Sequence, residues 1–292
     1  MRYSLVSSAG NGRINEDLVA VHEGDGRTDI IVMDGATPLT PQRWIGAGDS
    51  DPAWFVRQFA ADLGAVLHRA GSQEALVRQA LSATRAAWRA QAAGPPAPPY
   101  AWPVSTLSWV RLRHGRGGAA GTLELYCLGD SKILLAGADA TGRPLARDLD
   151  PFDNPAEREV LAAVAALVAE GVSDAGARWE RLLPMLQERR HVQNTAPNPQ
   201  VLCLEPRGPF AARTTTLAAP RGALLLAMSD GFYRLVDPYA LYDDAGLGAA
   251  CLARGLDALV DELRAFEAGA LAGAGIAAKR ADDASAVAWR LD

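Results

Sequence analysis

The sequence is poor in the residues that build metal sites from sulfur and nitrogen. Its 292 residues include 3 cysteines and 4 histidines. The cysteines, Cys127, Cys203 and Cys251, have apolar neighbours and no paired spacing, which argues against a disulfide framework and against a zinc site. The histidines are scattered without ligand spacing, and no Ser–His or Cys–His pair is evident. Catalysis by a protein nucleophile is therefore not indicated.

Long hydrophobic stretches and an excess of positive charge are also missing. No run approaches the roughly 20 apolar residues of a membrane helix, and the first residues do not form an apolar signal segment. The net charge is −5, whereas proteins that bind nucleic acid present basic faces. Apolar residues make up 49% of the chain, which is enough for a substantial core. We expect a cytoplasmic protein without membrane or nucleic-acid partners.

Carboxylates stand at the edges of three short apolar runs, which predict buried strands. They are Asp34, Asp230 and the adjacent pair Asp282 and Asp283. A carboxylate buried at a strand end is costly unless a cation receives it. Three such ends that converge in space would form an all-oxygen pocket suited to Mg²⁺ or Mn²⁺. Taken singly, an aspartate followed by glycine after a strand is also the ordinary sequence of a turn.

Segments with strand and helix patterns come in batches along the chain. Two batches of strands are each followed or preceded by paired helices, which favours an α+β layered sandwich over alternating βαβ units. The dipeptide Asp51-Pro52 is expected to cap and begin the first helix. We also expect one strand over Val104–Arg113 and one long helix over Leu247–Gly269. A helical segment at about 147–216 separates the later strands from the earlier ones.

Six short motifs, spread in order over nearly the whole chain, resemble those of the PP2C (PPM) family of metal-dependent protein serine/threonine phosphatases. The likeness is to divergent, bacterial-type members. The motifs are Asn15-Glu16-Asp17, Ile31-Val32-Met33-Asp34-Gly35, Ser105-Thr106-Leu107, Leu128-Gly129-Asp130-Ser131-Lys132, Leu225-Leu226-Ala227-Met228-Ser229-Asp230-Gly231 and Asp282-Asp283-Ala284-Ser285. Each motif alone is weak, and their order and number carry the resemblance.

The resemblance implies a four-layer αββα sandwich of two antiparallel β-sheets flanked by helices. Residues 1–292 would form a single domain of this kind, with the segment at about 147–216 as a variable flap beside the active site. It also implies hydrolysis of phosphoserine and phosphothreonine in proteins by a water that two Mg²⁺ or Mn²⁺ ions activate. The partners would be a phosphorylated protein substrate and a cognate serine/threonine kinase.

The family pattern carries over to the metal ligands residue by residue. Asp34 would bridge both ions, and Gly35 would offer its backbone carbonyl. Asp230 and Asp282 would hold one ion, while Asp283 competes with Asp282 for that role. Asp34 and Asp230 are therefore the residues that we expect to be catalytic.

Other residues would act around the ions. Glu16 and Asp17 would orient coordinated waters, and Arg13 would bind the substrate phosphate, because a guanidinium matches phosphate oxygens bidentately. Arg13 lies one residue nearer to the acidic pair than the family's arginine does, and an ordinary surface arginine fits it equally well. The basic run Arg189-Arg190-His191 could gather a phosphorylated substrate, or it could be a solvated helix end near the C-terminal dipole.

Two departures from the family pattern keep a second function open. Asp34-Gly35 continues with Ala36 and Thr37, so the histidine that often serves as general acid is missing. The stretch Pro95–Val104 contains no acid, which argues against a third metal ion. A catalytically weak or inactive PP2C-like module that binds phosphorylated partners in a regulatory role is therefore the alternative.

Overall fold

Two five-stranded antiparallel β-sheets form the centre of the structure. The computed structural model describes residues 3–10, 14–45, 50–115, 121–270 and 281–291. The first sheet contains, in spatial order, β1 (Tyr3–Ser8), β12 (Ala284–Arg290), β11 (Leu224–Met228), β7 (Lys132–Ala138) and β8 (Pro144–Asp148). The second contains β10 (Arg213–Ala219), β6 (Gly121–Leu128), β5 (Leu107–Arg113), β3 (Arg27–Asp34) and β2 (Asp17–Gly24). A short pair joins β4 (Val104–Ser105) to β9 (Leu202–Cys203).

The two sheets pack face to face through alternate residues of their strands. On β3, Ile30 and Val32 belong to the same core cluster as Leu225 and Ala227 of β11. The intervening Ile31 faces the opposite side, where helices cover it. Successive strand side chains point to opposite faces, so a strand that is buried on both faces is apolar at every position. The continuous apolar runs of the sequence follow from this double burial.

Helices cover the outer face of each sheet. The pair on the second sheet is α1 (Asp51–Val66) and α2 (Gln73–Gln91), and the pair on the first sheet is α6 (Asp244–Arg254) and α7 (Leu256–Ala270). The layers therefore run helix, sheet, sheet, helix, and the predicted αββα sandwich is confirmed. No helix in the described ranges is long and apolar enough to cross a membrane.

Two further helices pack on each other outside the main layers. They are α3 (Pro155–Ala169) and α4 (Ala175–Thr195), and they share a small apolar cluster around Val164, Leu167 and Leu182. Because this cluster is separate from the main cores, the position of the helix pair depends on polar contacts of α4 with the rest of the molecule.

Three details of the expected elements are wrong. The cap of α1 is Ser50, whose hydroxyl accepts from the Ala53 N–H at 3.2 Å, while Asp51 lies in the first turn. The expected strand over Val104–Arg113 is divided at Thr106. The expected single helix near the C-terminus is two, because Gly255 has a φ of 81° that ends the first of them.

Candidate metal centre

Four aspartates lie together where the strands of the two sheets end. Asp17 begins β2 and is the cross-strand partner of Asp34, which ends β3. Asp230 follows β11 as the first residue of the short helix α5 (Asp230–Tyr233), and Asp282 precedes β12. The charges of Asp230, Asp17 and Asp282 all act on Asp34. The structure therefore brings together three of the carboxylates that were predicted as ligands, and it adds Asp17 to them.

Burial of these carboxylates makes their ionised forms unfavourable in the absence of cations. Burial, followed by the charges of Asp230 and Asp17, raises the pKa of Asp34 well above its ordinary value. The same cause, which nearby serine hydroxyls offset only in part, raises the pKa of Asp17 to about 8. The pKa of Asp230 rises to about 6, again mainly through burial. Near neutral pH the cluster must therefore hold protons or bind cations.

The carboxylate oxygens of Asp17 are buried atoms of the cluster that lack hydrogen-bond partners in the described chain. The Asp17 side chain is buried. The hydroxyls of Ser229 and Ser285 are near enough to lower its pKa, but neither carboxylate oxygen makes a hydrogen bond of normal geometry to a described residue. Buried polar groups are almost always hydrogen-bonded in proteins. The partnerless oxygens of Asp17, next to Asp34, therefore favour a bound cation or water at this position.

Backbone contacts fix the ends of the strands around the cluster. The Thr106 N–H donates to the Asp34 carbonyl at 2.9 Å, and the Asp34 N–H donates to the Thr106 hydroxyl at 3.1 Å. A side chain at Gly35 would meet the Glu16 carbonyl at 2.8 Å, and one at Gly231 would meet the Asp283 carbonyl at 1.9 Å. Glycine follows Asp34 and Asp230 because the chains approach too closely there for a Cβ atom.

Asp282 and Asp283 have different contacts. Oδ2 of Asp282 accepts from Arg234 at 2.8 Å, and Asp282 lines the cavity described below. Asp283 accepts from the backbone N–H groups of Gly10 at 2.8 Å and Glu16 at 2.6 Å. Asp283 therefore holds the backbone at Gly10 and Glu16, and Asp282 is the one of the pair that lines the cavity.

The remaining predicted residues lie at the margin or outside the described ranges. Oε1 of Glu16 accepts a hydrogen bond from the hydroxyl of Ser50. Asp130, in the turn between β6 and β7, accepts from Asn154 at 2.6 Å, which ties the turn to the start of α3. It also lines the cavity described below, and its charge contributes to the raised pKa of Asp230. Arg13, the predicted phosphate ligand, lies outside the described residues.

A cavity of about 700 Å³ opens over the cluster. Asp34, Gly35, Asp230 and Asp282 form part of its wall, and residues of α3 and α4 form the other part. Among the latter is Arg190, whose side chain is 8% exposed. The sequence pattern does not predict that α4 packs over the cluster. It therefore gives no reason to choose Arg190 over its neighbours as a residue of the site.

The donor set at the cluster fits a hard divalent cation. Carboxylate and carbonyl oxygens are the ligands of Mg²⁺ and Mn²⁺. Within the described residues, no group of three or more acidic, histidine or cysteine side chains is arranged to hold a metal ion by itself. Mg²⁺ usually keeps several waters and takes only one or two carboxylates. The cluster meets this preference for a few carboxylates and several waters. It offers buried carboxylates and the partnerless oxygens of Asp17, and a cavity lies beside them.

The fold has counterparts among solved structures, although no family model and no curated protein matches the chain. The serine/threonine phosphatase of S. agalactiae is 16% identical, with a TM-score of 0.53 over 99% of this chain and 99% of that chain. The PPM Ser-Thr phosphatase MsPP from Mycobacterium smegmatis is 17% identical, with a TM-score of 0.52 over 99% and 98%. The serine-threonine phosphatase 2C from Toxoplasma gondii is 12% identical, with a TM-score of 0.51 over 98% and 93%. The chain therefore has the fold of the PP2C (PPM) serine/threonine phosphatases.

Proposed function

We propose that the chain is a Mg²⁺- or Mn²⁺-dependent phosphatase that hydrolyses phosphoserine and phosphothreonine in proteins. The observation that carries the proposal is the group of buried carboxylates Asp17, Asp34 and Asp230, whose ionised forms need positive charge and of which Asp34 and Asp230 line a cavity. Fold alone does not determine function, so the weight rests on these side chains.

Each residue of the cluster has a proposed part in holding the cations. Asp34, on which the charges of Asp230 and Asp17 act, would contribute its carboxylate to both cations. Gly35 would add its carbonyl, and Asp282 would add a carboxylate from the cavity wall. Asp17 would accept hydrogen bonds from water beside the ions, because its own oxygens have no partner in the described chain. When bound, divalent cations supply charge that clamps phosphate oxygens and lowers the pKa of a water molecule.

The direct test is metal-dependent hydrolysis of p-nitrophenyl phosphate, followed by hydrolysis of a phosphoserine peptide. We expect activity with Mn²⁺ or Mg²⁺ and its loss in EDTA, because the carboxylates alone repel a phosphate dianion. Full activity in EDTA would overturn the metal mechanism. Activity on p-nitrophenyl phosphate but on no phosphopeptide would overturn the proposed substrate class.

One observation favours the alternative of a weak or inactive module that binds phosphorylated partners. Arg234 is paired with Asp282 at 2.8 Å, and this guanidinium competes with an ion for that carboxylate. Under this alternative, the protein would bind a phosphopeptide in the presence of Mn²⁺ without releasing phosphate from it. Phosphate release from the same peptide separates the two functions.

The proposal extends to the setting of the reaction. A single catalytic domain would span residues 1–292, with the segment at about 147–216 as a flap over the site. A serine/threonine kinase in the cytoplasm would supply the phosphorylated substrate. Incubation with a kinase-phosphorylated cell extract, followed by comparison of phosphoproteins between the active protein and an Asp34→Asn variant, would identify that substrate.

A further inference from the structure

One face of α4 is fixed to the body of the protein by polar side chains. Gln187, Arg190 and Asn194 recur at intervals of three and four residues, so they lie on the same side of the helix. Gln187 donates to the Leu39 carbonyl at 2.9 Å. Asn194, fully buried, donates to the Pro99 carbonyl at 2.8 Å. The middle residue of this face, Arg190, is thereby held at a defined position over the carboxylate cluster.

Arg190 presents a buried positive charge to the cavity. Its Nη2 atom donates to the Thr37 carbonyl at 3.3 Å, three residues beyond Asp34 in the chain. The side chain is 8% exposed, and it lines the same cavity as Asp34 and Asp230. Within the described ranges, no carboxylate forms an ion pair with it. The carboxylate whose charge acts on Arg190 is that of Glu16, and Glu16 also accepts a hydrogen bond from Ser50.

A buried guanidinium in this state has unused binding capacity. Arginine offers five N–H donors in a planar fork, and the contact to Thr37 is the one hydrogen bond that Arg190 makes in the described structure. Burial of a cation is costly unless an anion pairs with it. A tetrahedral oxyanion in the cavity would accept two parallel hydrogen bonds from the fork.

The adjacent arginine differs in its surroundings. Arg189 is only partly buried, and the charges that act on it are those of Glu157 and Glu159 on α3. Its charge is thus balanced by residues of the neighbouring helix. Both arginines line the cavity, but two carboxylates of α3 act on Arg189, whereas the carboxylate that acts on Arg190 is Glu16. Arg190 is therefore the more buried and the less compensated of the two cations.

We propose that Arg190 of α4 binds the phosphate group of the substrate and orients it toward the carboxylate cluster. This inference rests on the proposed function and adds to it a specific phosphate ligand. The oxyanion would lie between the guanidinium and the cations at Asp34 and Asp230. The helix pair α3–α4 would then carry part of the binding site, instead of merely covering it. Arg190 would then perform the phosphate-binding role that the family resemblance assigns to Arg13.

The test compares Arg190→Gln and Arg190→Lys with a control on the same helix, Arg181→Gln. Arg181 is a suitable control because its side chain is 52% exposed and pairs with Glu170, the residue after α3. Two readouts are needed: KM and kcat for p-nitrophenyl phosphate, and the increase in Tm that inorganic phosphate causes in the presence of Mn²⁺. A charge-assisted contact of this kind predicts phosphate affinity roughly 10- to 100-fold weaker in Arg190→Gln.

The lysine variant tests whether the weaker phosphate binding of Arg190→Gln has a purely structural cause. Arg190→Lys keeps the charge but loses the planar fork, so we expect intermediate phosphate affinity, a raised KM and unchanged Mn²⁺ affinity. Arg181→Gln should match the wild type in all these measurements. Phosphate affinity equal to that of the wild type in both folded Arg190 variants would overturn the inference.

The two proposals can fail separately. If the wild type hydrolyses no phosphate ester, the proposed function fails. The anion site would still stand if phosphate raises Tm in the wild type and not in Arg190→Gln. If hydrolysis is normal in Arg190→Gln, with unchanged KM, the phosphatase stands and the role of Arg190 falls.

Discussion

Arg234 and Asp282 form an ion pair at the edge of the carboxylate cluster, with Nη2 of the arginine 2.8 Å from Oδ2 of the aspartate. The arginine lies four residues after Asp230, in the turn that follows the short helix α5. Both side chains are largely buried, with exposed fractions of 14% and 21%. The cluster thus contains a cation of its own, which balances one of the carboxylates that line the cavity. A divalent ion at Asp282 must displace this guanidinium or share the carboxylate with it.

Replacement of Arg234 with glutamine should strengthen metal binding. Removal of the internal cation leaves Asp282 and Asp230 with unbalanced charge, so we expect Mn²⁺ affinity to rise about tenfold. The metal-free variant should unfold at a lower temperature, because the largely buried Asp282 loses its ion pair with Arg234. Calorimetry gives the affinity and thermal unfolding in EDTA gives the stability. Arg254→Gln, which breaks the more exposed pair with Glu262, should change neither metal affinity nor activity. Equal Mn²⁺ affinity in Arg234→Gln and the wild type would show that the ion pair does not compete with the metal.

Substitutions at the cluster should have opposite effects on activity and on metal-free stability. Asp34→Asn and Asp230→Asn remove a charge that binds a cation, so Mn²⁺-dependent hydrolysis of p-nitrophenyl phosphate should be lost. The same substitutions relieve the repulsion among buried carboxylates, and Tm in EDTA should rise by about 2–5 °C. An exposed aspartate on α7, Asp261, provides the control as Asp261→Asn. A fall in Tm together with the loss of activity would instead indicate a structural role for the carboxylate.

The pH dependence of metal-free stability follows from the raised pKa of Asp17. The ordinary pKa of 3.8 applies to the unfolded chain, and the folded value is about 8. At low pH both states are protonated, whereas at intermediate pH only the unfolded chain ionises. Stability should therefore fall from about pH 4 to about pH 8, by up to ~1.4 kcal/mol per pH unit for this carboxyl group.

Urea unfolding in EDTA at several pH values measures this slope. Asp17→Asn should reduce it, because the asparagine side chain does not titrate, and saturating Mn²⁺ should reduce it in the wild type. An identical slope in Asp17→Asn and the wild type would mean that Asp17 ionises normally in the folded protein.

Gly231 provides a test of the close packing behind the cluster. A Cβ atom at this position would lie 1.9 Å from the Asp283 carbonyl oxygen, so Gly231→Ala must displace the backbone next to Asp282. We expect a loss of about 1–3 kcal/mol in stability and weaker Mn²⁺ binding. Gly137→Ala is the matched control, because a Cβ atom there meets nothing within 4 Å. Normal stability and metal binding in Gly231→Ala would contradict the packing described here.

The layered architecture could be predicted because its central strands are buried on both faces. The run Ile30–Met33 is apolar throughout for that reason and is recognisable in the sequence. The strands β8 and β10 were not predicted. Both lie at sheet edges, and β10 exposes Thr214, Thr215 and Thr216. An edge strand with few buried residues lacks the apolar signal on which such predictions depend.

The candidate site was predictable to the extent that its residues follow strands. Asp34 and Asp230 could be identified because each carboxylate adjoins an apolar run. The position of Asp17 inside the cluster depends on its pairing with Asp34, which the sequence pattern does not specify. Arg190 and Arg234 depend on how helices pack against the cluster, and helix packing is decided by contacts distant in the chain.

Calorimetric titration of Mn²⁺ into the metal-free protein near neutral pH decides whether the carboxylate cluster is a metal centre. Titrations in two buffers with different ionisation enthalpies also give the protons released. We predict saturable binding of up to two ions with release of protons, because binding ionises carboxyl groups whose pKa values are raised. The binding should be lost in Asp34→Asn. A folded wild-type protein that binds neither Mn²⁺ nor Mg²⁺, or an Asp34→Asn variant that binds them equally well, would contradict the proposal.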